Sequence, residues 1–295
     1  MDILNTKPIL QGEYKLQKIL QKLPYSTIYL ATSLHNPAKR WAVKEVTLNF
    51  DKPDEKQEAF RYFEKIAKKY IALEHPLIVP LEDCFYENNF EYIIFEFVPG
   101  HRLQEIMDLR SKPFNEFQVM DLAWQIGNAL DFLHTREIIF HDLNPSNVII
   151  TPEGSIKLTD YGLGKMLAKP EPGQPKWGSL GFGPPEQMGS GANITPACDI
   201  YALGVVMHQL LTFWDPSLSK GVIPPVRKLN AEASEQIEQI IINCTYNDIS
   251  LRYPSMKEVL KDLQKLLKIK PVTETPKETW LQKLARDISK PFSKE

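Results

Sequence analysis

Three polar residues near the middle of the chain have the types and spacing that a phosphoryl-transfer site uses. Asp142 and Asn147 lie on one short segment, and Asp160 follows after two short apolar runs. Phosphoryl transfer needs a carboxylate to orient the attacking hydroxyl, oxygen ligands for magnesium, and cations on the phosphates. Asp142 can orient the hydroxyl, while Asn147 and Asp160 offer a neutral and an anionic oxygen to a hard cation. Lys44, far upstream, can supply the cation.

The motifs around these residues stand in a fixed order. They are Trp41-Ala42-Val43-Lys44, Phe140-His141-Asp142-Leu143-Asn144-Pro145-Ser146-Asn147, Asp160-Tyr161-Gly162 and Pro184-Pro185-Glu186. This series resembles the signature set of the protein kinase superfamily, V-A-I-K, H-R-D-L-x-x-x-N, D-F-G and A-P-E. Residues 199–204 resemble the opening of the large buried helix of the kinase C-lobe, and Arg252 resembles the arginine that pairs with the A-P-E glutamate.

The resemblance implies an α+β fold with two lobes. The N-lobe would be an antiparallel sheet with one helix, helix C, and the C-lobe would be mainly helical. The chain then divides into an N-terminal extension (1–11), the N-lobe (12–98), the C-lobe (99–269) and a tail (270–295) with a short amphipathic helix. Pro99-Gly100 marks the passage from the N-lobe to the C-lobe.

Local sequence patterns agree with this division. Short runs of β-branched, aromatic and aliphatic residues predict strands at 14–20, 27–31, 41–48, 77–86 and 91–98. Apolar residues at helical spacing predict helices at 54–73, which would be helix C, and at 115–136, 199–213, 233–244 and 255–267.

The same resemblance implies the cofactors ATP and Mg²⁺ and assigns roles to particular residues. Lys44 would bind the α- and β-phosphates, Asp142 would accept the proton of the substrate hydroxyl, and Asn147 with Asp160 would bind Mg²⁺. Simpler interpretations are a solvent-facing strand lysine for Lys44 and a loop-capping aspartate for Asp142. The residues that resemble an adenine site are Ile28, Ala42, Glu96, Val98 and Ile149.

The phosphate-covering loop and helix C depart from the kinase pattern. Gln21, Leu23 and Ser26 stand where kinases have three glycines, which let backbone N–H groups approach phosphate closely. Ile66 stands where helix C carries the glutamate that pairs with the strand lysine. Glu64 is two residues away and would face elsewhere on a helix, unless an insertion restores it to that position.

The catalytic loop departs from the pattern as well. Asn144, which we assign to the catalytic set, replaces a lysine that contacts the γ-phosphate, so a charge that stabilises the transition state is missing. His141 replaces an arginine that binds an activation-loop phosphate in many relatives. Residues 163–178 contain no Ser, Thr or Tyr, and Ser179 matches the threonine beside the catalytic aspartate of Ser/Thr kinases. Switching by phosphorylation of this segment is therefore not expected.

Two functions follow from these observations. The first is a Ser/Thr-type protein kinase, weak or unusually regulated, that transfers the ATP γ-phosphate to a protein hydroxyl. The second is a pseudokinase, a binding or scaffold module with or without nucleotide binding. Retention of the four central residues favours the enzyme, and the losses at accessory positions favour the module. A small-molecule kinase is disfavoured because residues 178–179 and 184–186 resemble a peptide-binding segment.

Composition limits the remaining classes. With 295 residues and a net charge of −2, the chain gives no electrostatic reason to expect a nucleic-acid partner, so a protein substrate or protein partner is expected. The three cysteines form no C-x-x-C pair, which argues against a disulfide framework or zinc site and favours the cytoplasm. Neither a signal peptide nor a transmembrane segment is predicted. The oligomeric state stays open.

The tail carries one further amphipathic pattern. Residues 275–278, Thr-Pro-Lys-Glu, resemble a helix N-cap followed by proline at the first helical position. Trp280, Leu281, Leu284 and Ile288 then form one apolar stripe at helical spacing. The stripe predicts either packing on the kinase-like body or docking of a partner or a membrane surface.

Overall fold

Alternating apolar residues in the first hundred positions form a six-stranded antiparallel sheet. Its strands are β1 (Ile9–Leu10), β2 (Tyr14–Leu23), β3 (Ser26–Ser33), β4 (Arg40–Thr47), β5 (Leu81–Glu87) and β6 (Phe90–Glu96), in the order β1-β2-β3-β4-β6-β5. The computed structural model describes residues 8–23, 26–47, 53–163, 178–187, 194–218, 222–269 and 279–289. The chain divides into two units, 1–98 with 163–171 and 99–162 with 172–295.

One face of the six-stranded sheet carries a cluster of aromatic and aliphatic side chains. Tyr14 and Trp41 meet edge to face with ring centroids 4.9 Å apart. Glu45 lies within this face and is buried, but its carboxylate accepts hydrogen bonds from the hydroxyls of Tyr29 at 3.2 Å and Tyr92 at 2.9 Å. Two phenol donors therefore compensate the burial of that charge.

Helix α1 (Pro53–Ile71) lies between β4 and β5 in the chain and belongs to the same unit as the sheet. Phe63, Ala67 and Tyr70 recur at helical spacing and are fully or almost fully buried. This apolar stripe confirms the helix predicted at 54–73. The strand predicted at 77–86 begins only at Leu81, because Pro80 has no N–H to donate to a neighbouring strand.

A buried glutamate lies on the other face of this sheet. Glu91 on β6 is 3% exposed, and its Oε2 has no hydrogen-bond partner within the described part of the chain. Burial raises the pKa of Glu91 to about 8, and the nearby charge of Glu64 on α1 adds to the shift. The carboxyl is therefore largely protonated at neutral pH.

This glutamate is expected to make stability fall with rising pH. In the folded protein the Glu91 carboxyl keeps its proton up to about pH 8, whereas in the unfolded chain it loses the proton near its ordinary pKa. The contribution of Glu91 to stability is therefore fully present at acid pH and is lost as the pH rises toward 8. Between pH 6 and pH 8 the free energy of unfolding should decrease by about 2 kcal/mol through this group. Glu91→Gln should remove that decrease in urea titrations across the range. Glu82→Gln, a change at an exposed glutamate of β5, should retain it, and equal slopes for wild type and Glu91→Gln would contradict the assignment.

The second unit combines a small sheet with helices. The sheet is formed by β7 (His101–Arg102), β8 (Val148–Ile150) and β9 (Ile156–Leu158), in that order. The helices are α2 (Leu103–Asp108), α3 (Glu116–His134), α4 (Ala197–Thr212), α5 (Val226–Leu229), α6 (Glu235–Thr245), α7 (Met256–Ile269) and α8 (Trp280–Ser289). Short 3₁₀ turns cover Pro145–Asn147, Pro185–Gln187, Pro216–Leu218 and Ile249–Leu251.

Helix α4 is the centre of this second unit. Every residue from Cys198 to Leu211 is buried, which explains the apolar stretch seen in the sequence. Gly204 allows α6 to approach, because a Cβ at this position would lie 2.6 Å from the Cys244 Cβ. No helix in the described ranges is long and apolar enough to cross a membrane.

Helix α8 packs on the second unit. The Trp280 Nε1 donates to Asp121 Oδ2 on α3 at 2.7 Å, and Leu281 and Ala285 are buried. Gly154, in the turn between β8 and β9, leaves room for the helix, since a Cβ there would lie 2.5 Å from Thr279 Oγ1. Of the two interpretations of the apolar stripe, the structure shows packing on the protein itself.

The N-terminus of α8 is capped by Thr279. Thr279 Oγ1 accepts from the Gln282 N–H at 3.1 Å, and Gln282 Oε1 accepts from the Thr279 N–H at 2.8 Å, which together form a capping box. The predicted cap at 275–278 lies outside the described residues.

Candidate active site

The loop that carries Asp142 is held by hydrogen bonds to a buried carboxylate. Asp199, at the start of α4, is 1% exposed and accepts hydrogen bonds from the backbone N–H groups of Phe140 at 2.8 Å and His141 at 3.0 Å. His134, at the end of α3, lies with its Nε2 2.8 Å from Asp199 Oδ2. Two helices thereby fix the backbone immediately before Asp142.

His141, whose backbone N–H donates to Asp199, has an uncommon backbone conformation. His141 has φ of +71°, a left-handed conformation that is unusual outside glycine. Burial lowers the pKa of the His141 imidazole, while the carboxylates of Asp199 and Asp142 act in the opposite direction. The sterically costly turn at this position persists because the surrounding hydrogen bonds determine it, and it directs Asp142.

The Asp142 carboxylate is the acceptor at the centre of a hydrogen-bond network. Ser179 Oγ donates to its Oδ1 at 2.7 Å, and Asn147 Nδ2 donates to its Oδ2 at 3.3 Å and to its backbone oxygen at 2.8 Å. Asn144 Nδ2 donates to the same backbone oxygen at 3.0 Å. Asp142 is 5% exposed. Together these contacts hold the backbone and the carboxylate of Asp142 in a fixed orientation.

Both the oxygen and the nitrogen of the Asn144 side-chain amide form hydrogen bonds. Its Oδ1 accepts from the Ser146 N–H at 2.9 Å, and its Nδ2 also donates to Ser179 Oγ at 3.2 Å. The residue is 6% exposed. Its amide therefore links the Asp142 loop to Ser179, thirty-five residues further along the chain. This arrangement holds the carboxylate in place without adding a charge.

Asn147 and Asp160 are brought together by the small sheet. Val148 of β8 pairs with Leu158 of β9, and the Thr159 N–H donates to the Asn147 backbone oxygen at 3.0 Å. Because both N–H donor contacts of the Asn147 amide go to Asp142, its Oδ1 is the atom left to face a cation. Asp160 has φ of +57° and precedes Gly162, whose N–H donates to the Asp160 oxygen.

This donor set fits the magnesium that the sequence predicts. An amide oxygen and a carboxylate are ligands that Mg²⁺ accepts, and Mg²⁺ commonly takes one or two protein carboxylates and completes its shell with water and substrate phosphate. Asp160 and Asn147 meet that description. No cluster of three or more His, Cys, Asp or Glu side chains suited to a metal occurs in the described residues.

The residues predicted to contact nucleotide in the first unit share one face of the six-stranded sheet. Ile28 pairs with Lys44 across β3 and β4, and Lys44 pairs with Ile93 across β4 and β6, so these side chains point to the same face. Ala42 lies two residues before Lys44 on that face. Lys44 is 6% exposed, and it is therefore not an ordinary solvent-facing lysine. Glu96 and Val98 lie at and just after the end of β6.

The phosphate-covering loop and helix C, which depart from the kinase pattern in sequence, lie in the same unit. Leu23 at the end of β2 pairs with Ser26 at the start of β3, and β2 is irregular between Ile19 and Gln21. On α1, Ile66 is half-buried and Glu64 is exposed. The charge of Glu64 contributes to the raised pKa of the Glu91 carboxyl on β6.

A buried ion pair fixes the segment that follows Ser179. Arg252 Nη1 and Nη2 donate to the two carboxylate oxygens of Glu186 at 2.5 and 2.9 Å, and its side chain is fully buried. Its Nε donates to the Tyr246 oxygen at 2.6 Å. Phe140 and Tyr161 stack edge to face at 5.9 Å, also buried. These contacts tie the segments flanking the site to the helical core.

Comparisons with known proteins agree with this geometry. The model of the protein kinase domain matches residues 15–277. The probable serine/threonine-protein kinase PknB of Lactococcus lactis is 28% identical over 268 residues, covering 86% of this chain and 42% of the relative. Serine/threonine-protein kinase PrkC of Bacillus subtilis is 27% identical, covering 86% of this chain and 40% of the relative. The chain thus spans about two fifths of the length of these relatives.

Solved structures show the same fold. The PknI kinase domain of Mycobacterium tuberculosis, solved as a variant with a cysteine replaced by alanine, superposes with a TM-score of 0.69 at 20% identity, covering 88% of this chain and 98% of that domain. The α+β kinase fold expected from the motifs is confirmed. The chain belongs to the protein kinase family. Its similarity is to bacterial Ser/Thr protein kinases.

Two residues of interest were missed by the sequence analysis. Glu91 lies in a strand whose neighbours are apolar, and its alternation with Ile93 and Phe95 placed it on an inward face. Arg102 lies at the end of β7, just after the Pro99-Gly100 break, and its guanidinium contacts the segment that carries Asn147. The only available signal for Arg102 was a charged residue following that break.

Proposed function

We propose that this chain is a Ser/Thr-type protein kinase that transfers the γ-phosphate of ATP to a protein hydroxyl. The observation that carries the proposal is the Asp142 carboxylate, held by donors from Asn147 and Ser179 beside the oxygen ligands of the small sheet. Relatives that are serine/threonine-protein kinases support the same reaction. The proposal includes the division into an N-terminal extension (1–11), an N-lobe (12–98), a C-lobe (99–269) and a tail (270–295).

In the proposed mechanism the chain positions the reactants and moves one proton. Asp142 accepts the hydrogen bond of the substrate hydroxyl, orients its oxygen, and takes its proton late in the reaction. Asn147 and Asp160 would hold Mg²⁺, and Lys44 would bind the α- and β-phosphates. Bound ATP and Mg²⁺ would supply the phosphoryl group and neutralise its charge. Ile28, Ala42, Glu96, Val98 and Ile149 would form the adenine site.

The structure supports a slow reaction within this proposal. Asn144 is neutral and its amide is committed to Asp142 and Ser179, so it brings no positive charge to the transferring phosphate. A fixed cation facing a developing charge is among the larger contributions to enzymatic rates. We therefore assign Asn144 to positioning of Asp142 and Ser179. The β2–β3 loop without glycine is expected to hold ATP weakly.

A binding or scaffold role without phosphoryl transfer is the second candidate. It is favoured by Ile66, which is half-buried on α1 at the position where helix C of kinases carries the pairing glutamate, and by the exposure of Glu64. The free state of all three cysteines supports a reducing compartment, which we take to be the cytoplasm. In either role we propose a protein as the partner.

Nucleotide binding is the first test of the proposed site. ATP should bind wild type in the presence of Mg²⁺, and Asp160→Ala should weaken that binding at least tenfold, because it removes the only proposed anionic ligand. Calorimetry with and without Mg²⁺ measures both quantities. Asp108→Ala, an exposed aspartate on α2, serves as the control and should bind as wild type does.

The outcomes separate the two candidates. Mg²⁺-dependent binding that Asp160→Ala removes would support the enzyme and justify a search for substrates. Absence of binding at millimolar ATP in wild type would argue against phosphoryl transfer and for the binding module. If Lys44→Ala/Asp160→Ala then retains a protein partner in a pull-down, binding of that partner does not depend on nucleotide.

A further inference from the structure

Arg102 lies on the small sheet at a position fixed by its backbone. In β7 it pairs with Ile149 of β8, and Ile149 pairs with Lys157 of β9, so the three side chains share one half-exposed face. The Arg102 N–H donates to Glu105 Oε2 at 3.1 Å. The Glu105 carboxylate therefore caps the backbone at the start of α2, and it forms no ion pair with the Arg102 guanidinium.

The guanidinium contacts the loop that carries Asp142. Arg102 Nη1 donates to the backbone oxygen of Ser146. Ser146 lies between Asn144 and Asn147 in the chain, and both of these side-chain amides donate to Asp142. Of the five N–H donors of a guanidinium, the remaining ones have no acceptor among the described residues. Arg102 therefore holds a fixed positive charge with unused donors at the edge of the candidate site.

The segments around Asp142 do not supply such a charge themselves. Residues 138–147 and 178–187 contain no Lys or Arg, and Asn144 is neutral where kinases carry a lysine. Arg252 also contacts the second segment, but its Nη1 and Nη2 are bound to the Glu186 carboxylate. Arg102 thus brings to the Asp142 loop a cation that the residues of the loop lack.

A substrate residue close to the acceptor hydroxyl would lie within reach of this cation. The guanidinium contacts Ser146, and the next residue, Asn147, donates through Nδ2 to Asp142 Oδ2 at 3.3 Å. Two hydrogen bonds and one step of the chain span on the order of 10 Å. An extended peptide advances about 3.3 Å per residue, so about three residues cover the same distance. Carboxylates are the preferred partners of a guanidinium, whose planar fork donates two parallel hydrogen bonds to them.

We propose that Arg102 is a specificity-determining residue that binds an Asp or Glu side chain of the protein substrate, within about three residues of the hydroxyl that receives the phosphate. The inference rests on the proposed function and names its substrate class, proteins with acidic residues around the acceptor. The phosphates of ATP carry the same sign of charge. The proposed mechanism assigns them to Lys44 and the metal, which leaves the Arg102 donors to the substrate.

Binding of labelled peptides, followed by fluorescence anisotropy, tests this inference without requiring phosphoryl transfer. Each peptide has Ala at the acceptor position and Glu, Gln or Lys at the three positions on either side. Wild type should bind the Glu peptide about tenfold more tightly than the Gln peptide, the effect of one charge-assisted hydrogen-bonded pair. Arg102→Gln should bind these two peptides equally, and Arg102→Glu should prefer the Lys peptide. ATP affinity, measured by calorimetry, should be the same in Arg102→Gln and wild type.

The matched control is Lys157→Gln. It removes a half-exposed cation from the same face of the small sheet, two strands away from Arg102. Lys157→Gln should keep the wild-type preference for the Glu peptide. If it loses that preference as Arg102→Gln does, the peptide responds to the general charge of the face, and the role of Arg102 is overturned.

The other contrary results overturn the inference in different ways. Equal binding of the Glu and Gln peptides by wild type, or no binding of any peptide, would overturn it without reference to a variant that might misfold. A tenfold loss of ATP affinity in Arg102→Gln with an unchanged peptide preference would assign the charge to the nucleotide. None of these results touches the proposed function, which fails separately if Mg²⁺-dependent ATP binding and phosphoryl transfer are absent.

Discussion

Asp142→Asn should reduce phosphoryl transfer by about 10²–10⁴-fold, the usual contribution of a general base. The amide has nearly the shape of the carboxylate, so Ser179 and Asn147 can still surround it, but it cannot take the proton of the hydroxyl. ATP binding should be unchanged, because Asp142 has no role in the proposed metal or phosphate contacts. Transfer of labelled γ-phosphate to a generic basic or acidic protein measures the loss.

The matched control is Asp108→Asn, the same chemical change on an exposed aspartate of α2. Its rate should equal that of wild type. If Asp142→Asn retains the same residual signal as wild type, the signal belongs to a contaminating kinase and the enzyme proposal fails. A loss of ATP binding in Asp142→Asn would instead indicate that the change disturbed the loop.

Arg252→Ala should lower the free energy of unfolding by about 3–5 kcal/mol, the range found when one partner of a buried ion pair is removed. The side chain is fully buried, and its guanidinium donates to Glu186, to the Tyr246 oxygen and to the Ala197 oxygen. Removing it leaves the Glu186 carboxylate half-buried without its bidentate partner. Arg252→Lys should recover little, since an ammonium cannot reproduce the planar fork.

Urea denaturation followed by circular dichroism measures this change. Arg227→Ala is the control, because the Arg227–Glu235 pair is exposed and such pairs contribute about 0–1 kcal/mol. A similar, small loss in both variants would show that the buried pair is not a main source of stability. Arg252→Ala is also expected to weaken transfer, since Glu186 follows the Ser179 segment that contacts Asp142.

The sequence predicted the elements and the ordered motifs well because both depend on local patterns. The helix at 115–136 begins at an Asn115–Gln118 capping box, and the helix at 199–213 is rich in apolar residues, so each could be recognised from neighbouring residues. The strand predicted from residue 77 began at Leu81 because proline interrupted the pairing. Local sequence patterns therefore predict the type of each element better than the residues at which it begins and ends.

The functions of individual side chains were less predictable because their partners are distant in the chain. The position of Asn144 suggested a role at the phosphate, yet its contacts include Ser179, and no pattern near residue 144 indicates that link. The alternation of Glu91 with Ile93 and Phe95 indicated an inward face, but the degree to which its carboxyl is buried depends on tertiary packing. Arg102 required the pairing of β7 with β8 before its charge could be related to Asn147.

Helix α8 lies between the end of the family match and the end of the packed unit, two boundaries that are commonly treated as one. The family match ends at residue 277, whereas the helix that donates to Asp121 begins at Trp280. Burial raises the pKa of Asp121, and its hydrogen bond with Trp280 acts in the opposite direction, so the carboxylate depends on a donor outside the recognised domain. A protein trimmed at the edge of the family would keep every catalytic motif and lose part of its own packing. Here the segment that the family model matches is shorter than the segment that packs together.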